Sequence, residues 1–151
     1  MTNSLKWLVL ASLASLVGNG FGMMLALQHN LVGDFGGWLN GQDVLRDFLG
    51  FKGTALSAPL PFMLIQLGLT MLALWPGSSG RIGAGGLIFV GAIYTVGQLG
   101  EPIVLRVWSL SGFDPAQAVV LFVNVASSIA MFVFGIWAWR TMRATAVPIT
   151  S

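Results

Sequence analysis

The chain has 151 residues, 56% hydrophobic and only 8% charged, with a mean hydropathy of +0.84. Soluble domains carry about a quarter charged residues, so this chain lacks the polar surface needed to face water on every side. Its net charge of +2 rests on seven basic and five acidic residues, too few for a nucleic-acid surface, and the absence of cysteine excludes thiol–disulfide chemistry, thiolate metal sites and structural disulfides.

The first apolar stretch predicts a helix over about 5–27. Lys6 precedes it as in a secretory leader, but the run from Trp7 to Leu27 is longer than a leader's apolar region and reads as a retained helix. Ala14, Gly18, Gly22 and Ala26 recur every fourth position, giving a groove for close backbone approach.

The segment 28–57 is too long for a tight turn. Within it, about 42–49 predicts a short amphipathic helix. Val44, Leu45, Phe48 and Leu49 lie on one face and Asp43, Arg46 and Asp47 on the other. It is expected to lie on the outer bilayer surface or to cap the bundle, either as a docked lid or as a gate.

A second span over about 58–75 follows Ser57, a cap residue, with Pro59 and Pro61 in the first turn, where a missing N–H costs little. It ends before Pro76-Gly77. The third, about 82–106, is rich in glycine and is expected to continue, kinked, past Glu101-Pro102. Its glycines and the groove on the first span predict that these two helices are neighbours, or that one of them meets another subunit. The fourth, about 115–139, opens with Asp114-Pro115-Ala116-Gln117, a helix-start signature. The expected fold is therefore all-α: a four-helix transmembrane bundle forming a single integral membrane domain.

Lys6, Arg81, Arg140 and Arg143 fall on one side without any acid, whereas Arg46, Lys52, Arg106 and all five acids fall on the other. The excess of basic residues marks the cytoplasmic side, so both termini are expected inside, in a cytoplasmic or inner membrane. Trp7, Trp75, Trp137 and Trp139 then lie at the inner interface and Trp38 and Trp108 at the outer one, where indole rings prefer to sit.

Polar groups gather at one depth. Asn19, Gln66, Gln98 and Asn124 each lie about eight residues, ~12 Å, below the outer end of their helix. An amide facing hydrocarbon is costly, so the four are expected to form one inward layer and to pair with each other or with water. Tyr94, Gln98 and Glu101 follow at spacings of four and three and share a helix face. Pro102 lacks the N–H that would bond the Gln98 carbonyl, which is expected to be free. Glu101 is the one carboxylate placed by its position either within the membrane, where it must be protonated, paired or wet, or at the interface as a water-exposed charge near the helix end. His29, Arg46 and Arg106 are its candidate partners. His29 is the only histidine and makes no metal site by spacing.

These residues lead to one functional expectation and two rivals. The first is a non-enzymatic membrane protein that binds or transports a small lipophilic or weakly polar molecule in an outward-open pocket, alone or as a homo-oligomer. Tyr94, Gln98, Glu101, Asn19, Gln66, Asn124 and His29 are its candidate ligand-binding residues. The first rival is an accessory subunit of a larger membrane complex. The second is a membrane-embedded isomerase using Glu101 as acid or base, which needs a second titratable group such as His29. No motif for a phosphate, metal or organic cofactor is present, so no cofactor is expected.

Overall fold

A computed structural model of the chain describes residues 1–34, 40–107, 109 and 113–144. The expected interfacial positions Trp38 and Trp108 lie outside them. The described residues form six helices and no strand: α1 (Asn3–His29), α2 (Val44–Leu49), α3 (Leu60–Ala73), α4 (Ser78–Leu99), α5 (Ile103–Val107) and α6 (Pro115–Ala144). The fold is all-α.

The helix ends follow local chemistry. The Thr2 hydroxyl accepts the Leu5 N–H and starts α1. Asn30 ends it in the left-handed region at φ 50°, where a short amide side chain is tolerated. Asp114 Oδ1 accepts the N–H groups of Ala116 and Gln117, so the expected start of the fourth span is the start of α6.

At 1.5 Å per residue, α1, α4 and α6 are roughly 40, 33 and 45 Å long, against a bilayer core of ~30 Å. These three are long and apolar enough to cross a membrane. Helix α3 has only 14 residues, about 21 Å. The residues preceding it, Thr54 to Pro59, are not helical and yet are largely buried. The chain leading into α3 is thus irregular and packed inside the protein.

Helix α6 is the central element. It packs along α1 on one side and α4 on the other, and α3 packs on α4. The expected pairing of the first and third spans is therefore not what forms: both lie against α6. The glycines still serve close approach, but to other partners. On α1, Gly18 faces the Asn124 side chain of α6 and Gly22 faces the Leu56 carbonyl. On α4, Gly83 and Gly86 face Ala73 and Leu69 of α3, and Gly91 faces the α6 backbone at Ser128 and Phe132.

The third span also differs from expectation. Helix α4 stops at Leu99, and Gly100 and Glu101 form a turn before the short α5. Gly100 has no side chain to hold a helix, and Pro102 cannot donate to the preceding turn, so the chain breaks rather than kinks.

Polarity is distributed inside out. Among the largest fully buried side chains are Gln66, Asn19, Asn124, Ser12, Ser15 and Ser128, whereas Val17, Phe21, Phe89, Phe122 and Val133 are exposed. In water this arrangement would waste apolar burial and leave greasy patches open.

Candidate functional site

Leu56 is the pivot of the buried irregular segment. Thr54 and Ser57 exchange backbone hydrogen bonds, Thr54 N–H to Ser57 O at 2.9 Å and Ser57 N–H to Thr54 O at 3.4 Å. Ala55 N–H donates to Leu31 O and Leu56 N–H to Thr54 Oγ1, both at 3.3 Å, and two further groups are taken by amides from two helices. Asn19 Oδ1 accepts the Ala58 N–H at 2.6 Å, and Asn124 Nδ2 donates to Leu56 O at 2.9 Å. Asn19 Nδ2 donates to Ser15 O at 2.8 Å. Irregular backbone buried in an apolar surrounding must be satisfied internally, and these two side chains supply part of that.

Gln66 works at a different level. Its Nε2 donates to Ser12 O at 2.9 Å and Ser12 Oγ at 3.0 Å. Thr70 Oγ1 donates to Gln66 O at 2.7 Å, so its only proton is used. The 2.7 Å contact between Ser12 Oγ and Thr70 Oγ1 must then carry the Ser12 proton. Ser12 lies two turns from Asn19 on α1, about 10 Å away along the axis. The expected single layer of mutually paired amides is therefore replaced by two levels: Asn19 and Asn124 hold loop backbone, and Gln66 ties α3 to α1. Counting residues from the helix ends failed because α3 begins deeper than its neighbours.

A cavity of about 490 Å³ lies between the start of α3, the second half of α4 and the segment Phe51–Pro59. Its walls are mostly aliphatic or aromatic: Phe51, Ala55, Ala58, Pro59, Phe62, Ala92, Ile93 and Val96. Tyr94 and Gln98 of α4 line it, and so does Glu101, which lies in the turn beyond the helix rather than on the expected common helix face. Tyr94 is buried at 4% exposure, and its hydroxyl has no hydrogen-bond partner among the described residues. The same holds for both polar atoms of the Gln98 side chain, although the residue as a whole is half-buried. A buried orphan of this kind costs about 1–3 kcal/mol.

Glu101, buried in the turn after α4, accepts the Asp34 N–H at 3.1 Å. The expected free carbonyl of Gln98 is not free: with the helix broken at Gly100, it accepts the Glu101 N–H at 3.3 Å. His29 does not reach the cavity. It sits exposed at the end of α1 with Nε2 4.0 Å from Asp114 Oδ2.

The short helix expected over about 42–49 forms as α2, Val44–Leu49, but it does not line the cavity. Val44 packs with Met23 and Ala26 at the end of α1. Asp47, expected on the outward face, is buried. Its Oδ2 accepts the N–H groups of Gln42 at 2.7 Å and Asp43 at 3.2 Å. Burial pushes this carboxyl up, but those two N–H donors and the charges of Lys52 and Arg46 outweigh it and hold it below its ordinary value.

The cavity wall from Phe51 to Pro59 has no periodic pattern to announce it. The available signal is the run Thr54-Ala55-Leu56-Ser57-Ala58, too small and apolar for a surface loop. Comparison of the chain with protein-family models, characterised proteins and solved structures finds no match.

Proposed function

We propose that the chain is a four-span membrane protein with both termini in the cytoplasm, whose cavity between α3 and α4 binds a small lipophilic molecule. The inside-out polarity supports the bilayer setting: apolar side chains face outward and amides are sequestered where hydrocarbon cannot reach them. In this reading the buried Thr54–Pro59 segment and α3 together complete the second span, because non-helical backbone is tolerated at membrane depth when protein encloses it. The basic residues Lys6, Arg81, Arg140 and Arg143 favour an orientation with the termini inside. On this topology, a thiol introduced by Gln42→Cys reacts with a membrane-impermeant maleimide from outside the cell, and Thr2→Cys does not. The reverse pattern would invert the orientation.

One observation carries the binding role: a cavity of about 490 Å³ with mostly apolar walls, lined also by Tyr94 and Gln98. Ligand sites share such predominantly apolar walls and volumes of about 300–1,000 Å³. Asn19, Gln66 and Asn124 support the walls rather than contact the ligand, since their donors are committed to protein.

Because the chain has no cysteine, Ala92→Cys supplies a single thiol on the cavity wall. In nanodiscs, 1-dodecanol is expected to slow its reaction with N-ethylmaleimide severalfold and saturably, and to leave an exposed α6 control, Val133→Cys, unaffected. Equal rates with and without the alcohol at both positions contradict the proposal.

A further inference from the structure

A second cavity, of about 550 Å³, lies where α1 begins, α6 ends and α3 turns into α4. It is lined by Leu5 of α1, Met142 of α6, the turn Leu74–Gly77 and Arg81 of α4. It shares no lining residue with the cavity that Gln98 lines. Leu5, Leu74 and Met142 give it apolar walls, and Trp75 on the same turn is 66% exposed. An exposed indole at a helix end suits the headgroup level of a bilayer.

The four basic residues at this end differ. Lys6, Arg140 and Arg143 are exposed, and the Arg143 guanidinium stands 4.2 Å over the Trp139 ring. Arg81 is half-buried and lines the cavity, and its side chain makes no hydrogen bond or ion pair with any described residue. A guanidinium keeps its charge and carries five donors. The five acidic residues belong to the other end: Asp34, Asp43 and Asp47 follow α1, Glu101 follows α4 and Asp114 precedes α6. No acid of the chain is therefore placed to neutralise Arg81.

What fits such a cavity is an anion with an apolar part. A phosphate meets the guanidinium fork with two parallel hydrogen bonds, which a single-point cation cannot offer. The apolar part has Leu5, Leu74 and Met142 to lie against. A zwitterionic headgroup would add an ammonium, for which this end supplies no side-chain carboxylate.

Resting on the bilayer setting proposed above, but not on the binding role of the other cavity, we infer that this second cavity holds the phosphate of an anionic phospholipid. The lipid belongs to the leaflet on the side of the termini. Arg81 bonds its phosphate, and the first carbons of its chains lie against Leu74 and Met142. Free phosphate offers the same anion without the apolar part, so the chains distinguish the two sources.

The test is native mass spectrometry of the full chain from detergent micelles carrying phosphatidylglycerol or phosphatidylcholine with identical chains. The unaltered protein is expected to bind phosphatidylglycerol about tenfold tighter, the effect of one charge-assisted pair. Arg81→Gln is expected to erase that preference, and the exposed control Arg140→Gln to keep it. Arg81→Lys should lose part of it, because an ammonium cannot form the fork. Thermal unfolding in phosphatidylcholine nanodiscs, expected to match the unaltered protein, shows that each variant is folded. Should Arg81→Gln not fold, Arg81→Lys decides, and a preference it leaves unchanged overturns the inference. Equal binding of the two lipids by the unaltered protein overturns it outright. Equal losses from Arg81→Gln and Arg140→Gln overturn it in favour of diffuse attraction to a basic end. Displacement of phosphatidylglycerol by an equal concentration of glycerol 1-phosphate overturns the lipid in favour of a soluble phosphate. None of these results bears on the cavity that Gln98 lines.

Discussion

Asn19 of α1 and Asn124 of α6 grip the same short stretch of chain, one receiving the Ala58 N–H and the other donating to the Leu56 carbonyl. Leu56 is 1% exposed, and its carbonyl lies beside Gly22, about two helical turns from the end of α1. The grip holds the wall of the cavity in place, because Ala55, Ala58 and Pro59 belong to both the gripped segment and the cavity lining.

Breaking the grip is therefore expected to cost stability twice over. Asn124→Leu leaves the Leu56 carbonyl without its donor, and Asn19→Leu does the same to the Ala58 N–H, each about 1–3 kcal/mol. The double variant should lose less than the sum, since one segment is released only once. Thermal unfolding of the three proteins in nanodiscs measures this; strict additivity would show that the two amides act independently.

Glycine substitutions on α1 should separate sharply. A methyl at Gly22 runs into the Leu56 backbone, which cannot swing aside as a side chain end would, whereas one at Gly20 meets nothing within 4 Å. Gly22→Ala is expected to destabilise by about 1–3 kcal/mol. Gly20→Ala should be neutral or stabilise by up to about 1 kcal/mol, since it only restricts the unfolded chain. The same unfolding measurement decides.

The loop bearing α2 should respond to acid. The Asp47 carboxyl is held below its ordinary value of 3.8 by the Gln42 and Asp43 N–H groups and by Lys52 and Arg46, against the upward push of burial. A depressed carboxyl stabilises the fold fully above its unfolded value and loses that contribution as pH falls through the folded one. Hydrogen exchange at the Gln42 and Asp43 amides is thus expected to be slow and flat above about pH 4 after correction for intrinsic rates, and to lose protection at lower pH. Asp47→Asn should lose protection at neutral pH.

Gln98 offers a trade between stability and binding. Both its polar atoms are buried without partners among the described residues. Gln98→Leu in ligand-free protein is expected to be neutral or to raise stability by about 1 kcal/mol, because replacing an unsatisfied polar group by an apolar one of similar size removes a desolvation cost. Thermal unfolding without added lipophile checks it. A loss of more than 1 kcal/mol would mean that the amide has a structural partner.

Much of this architecture is legible in the sequence. Uninterrupted hydropathy marks α1 and α6, Asp114-Pro115 marks the start of α6, and alternation of Val44, Phe48 and the charged residues marks α2. The shared face of Tyr94 and Gln98 is legible for the same reason: within one helix, spacing fixes direction, whereas Glu101 lies in the turn beyond Leu99. What the sequence hides is whatever depends on where helices begin in space. Equal residue counts from assumed helix ends made Gln66 a neighbour of Asn19, but α3 starts only at Leu60, and Gln66 meets Ser12 instead. The partners of Asn19 and Asn124 are backbone atoms of an aperiodic segment, which no pattern of side chains announces. The sequence likewise places Asp47 outward by its charge. Its burial follows from two loop N–H groups whose positions are set by the turn before α2.

If the cavity binds a lipophilic molecule, that molecule occupies the space between the start of α3 and the second half of α4. A crystal structure of the full chain grown from a lipidic mesophase containing 1-dodecanol is the sharpest test. Elongated density between Phe62 and Ile93 is the expected result. A cavity holding only water rules the binding role out.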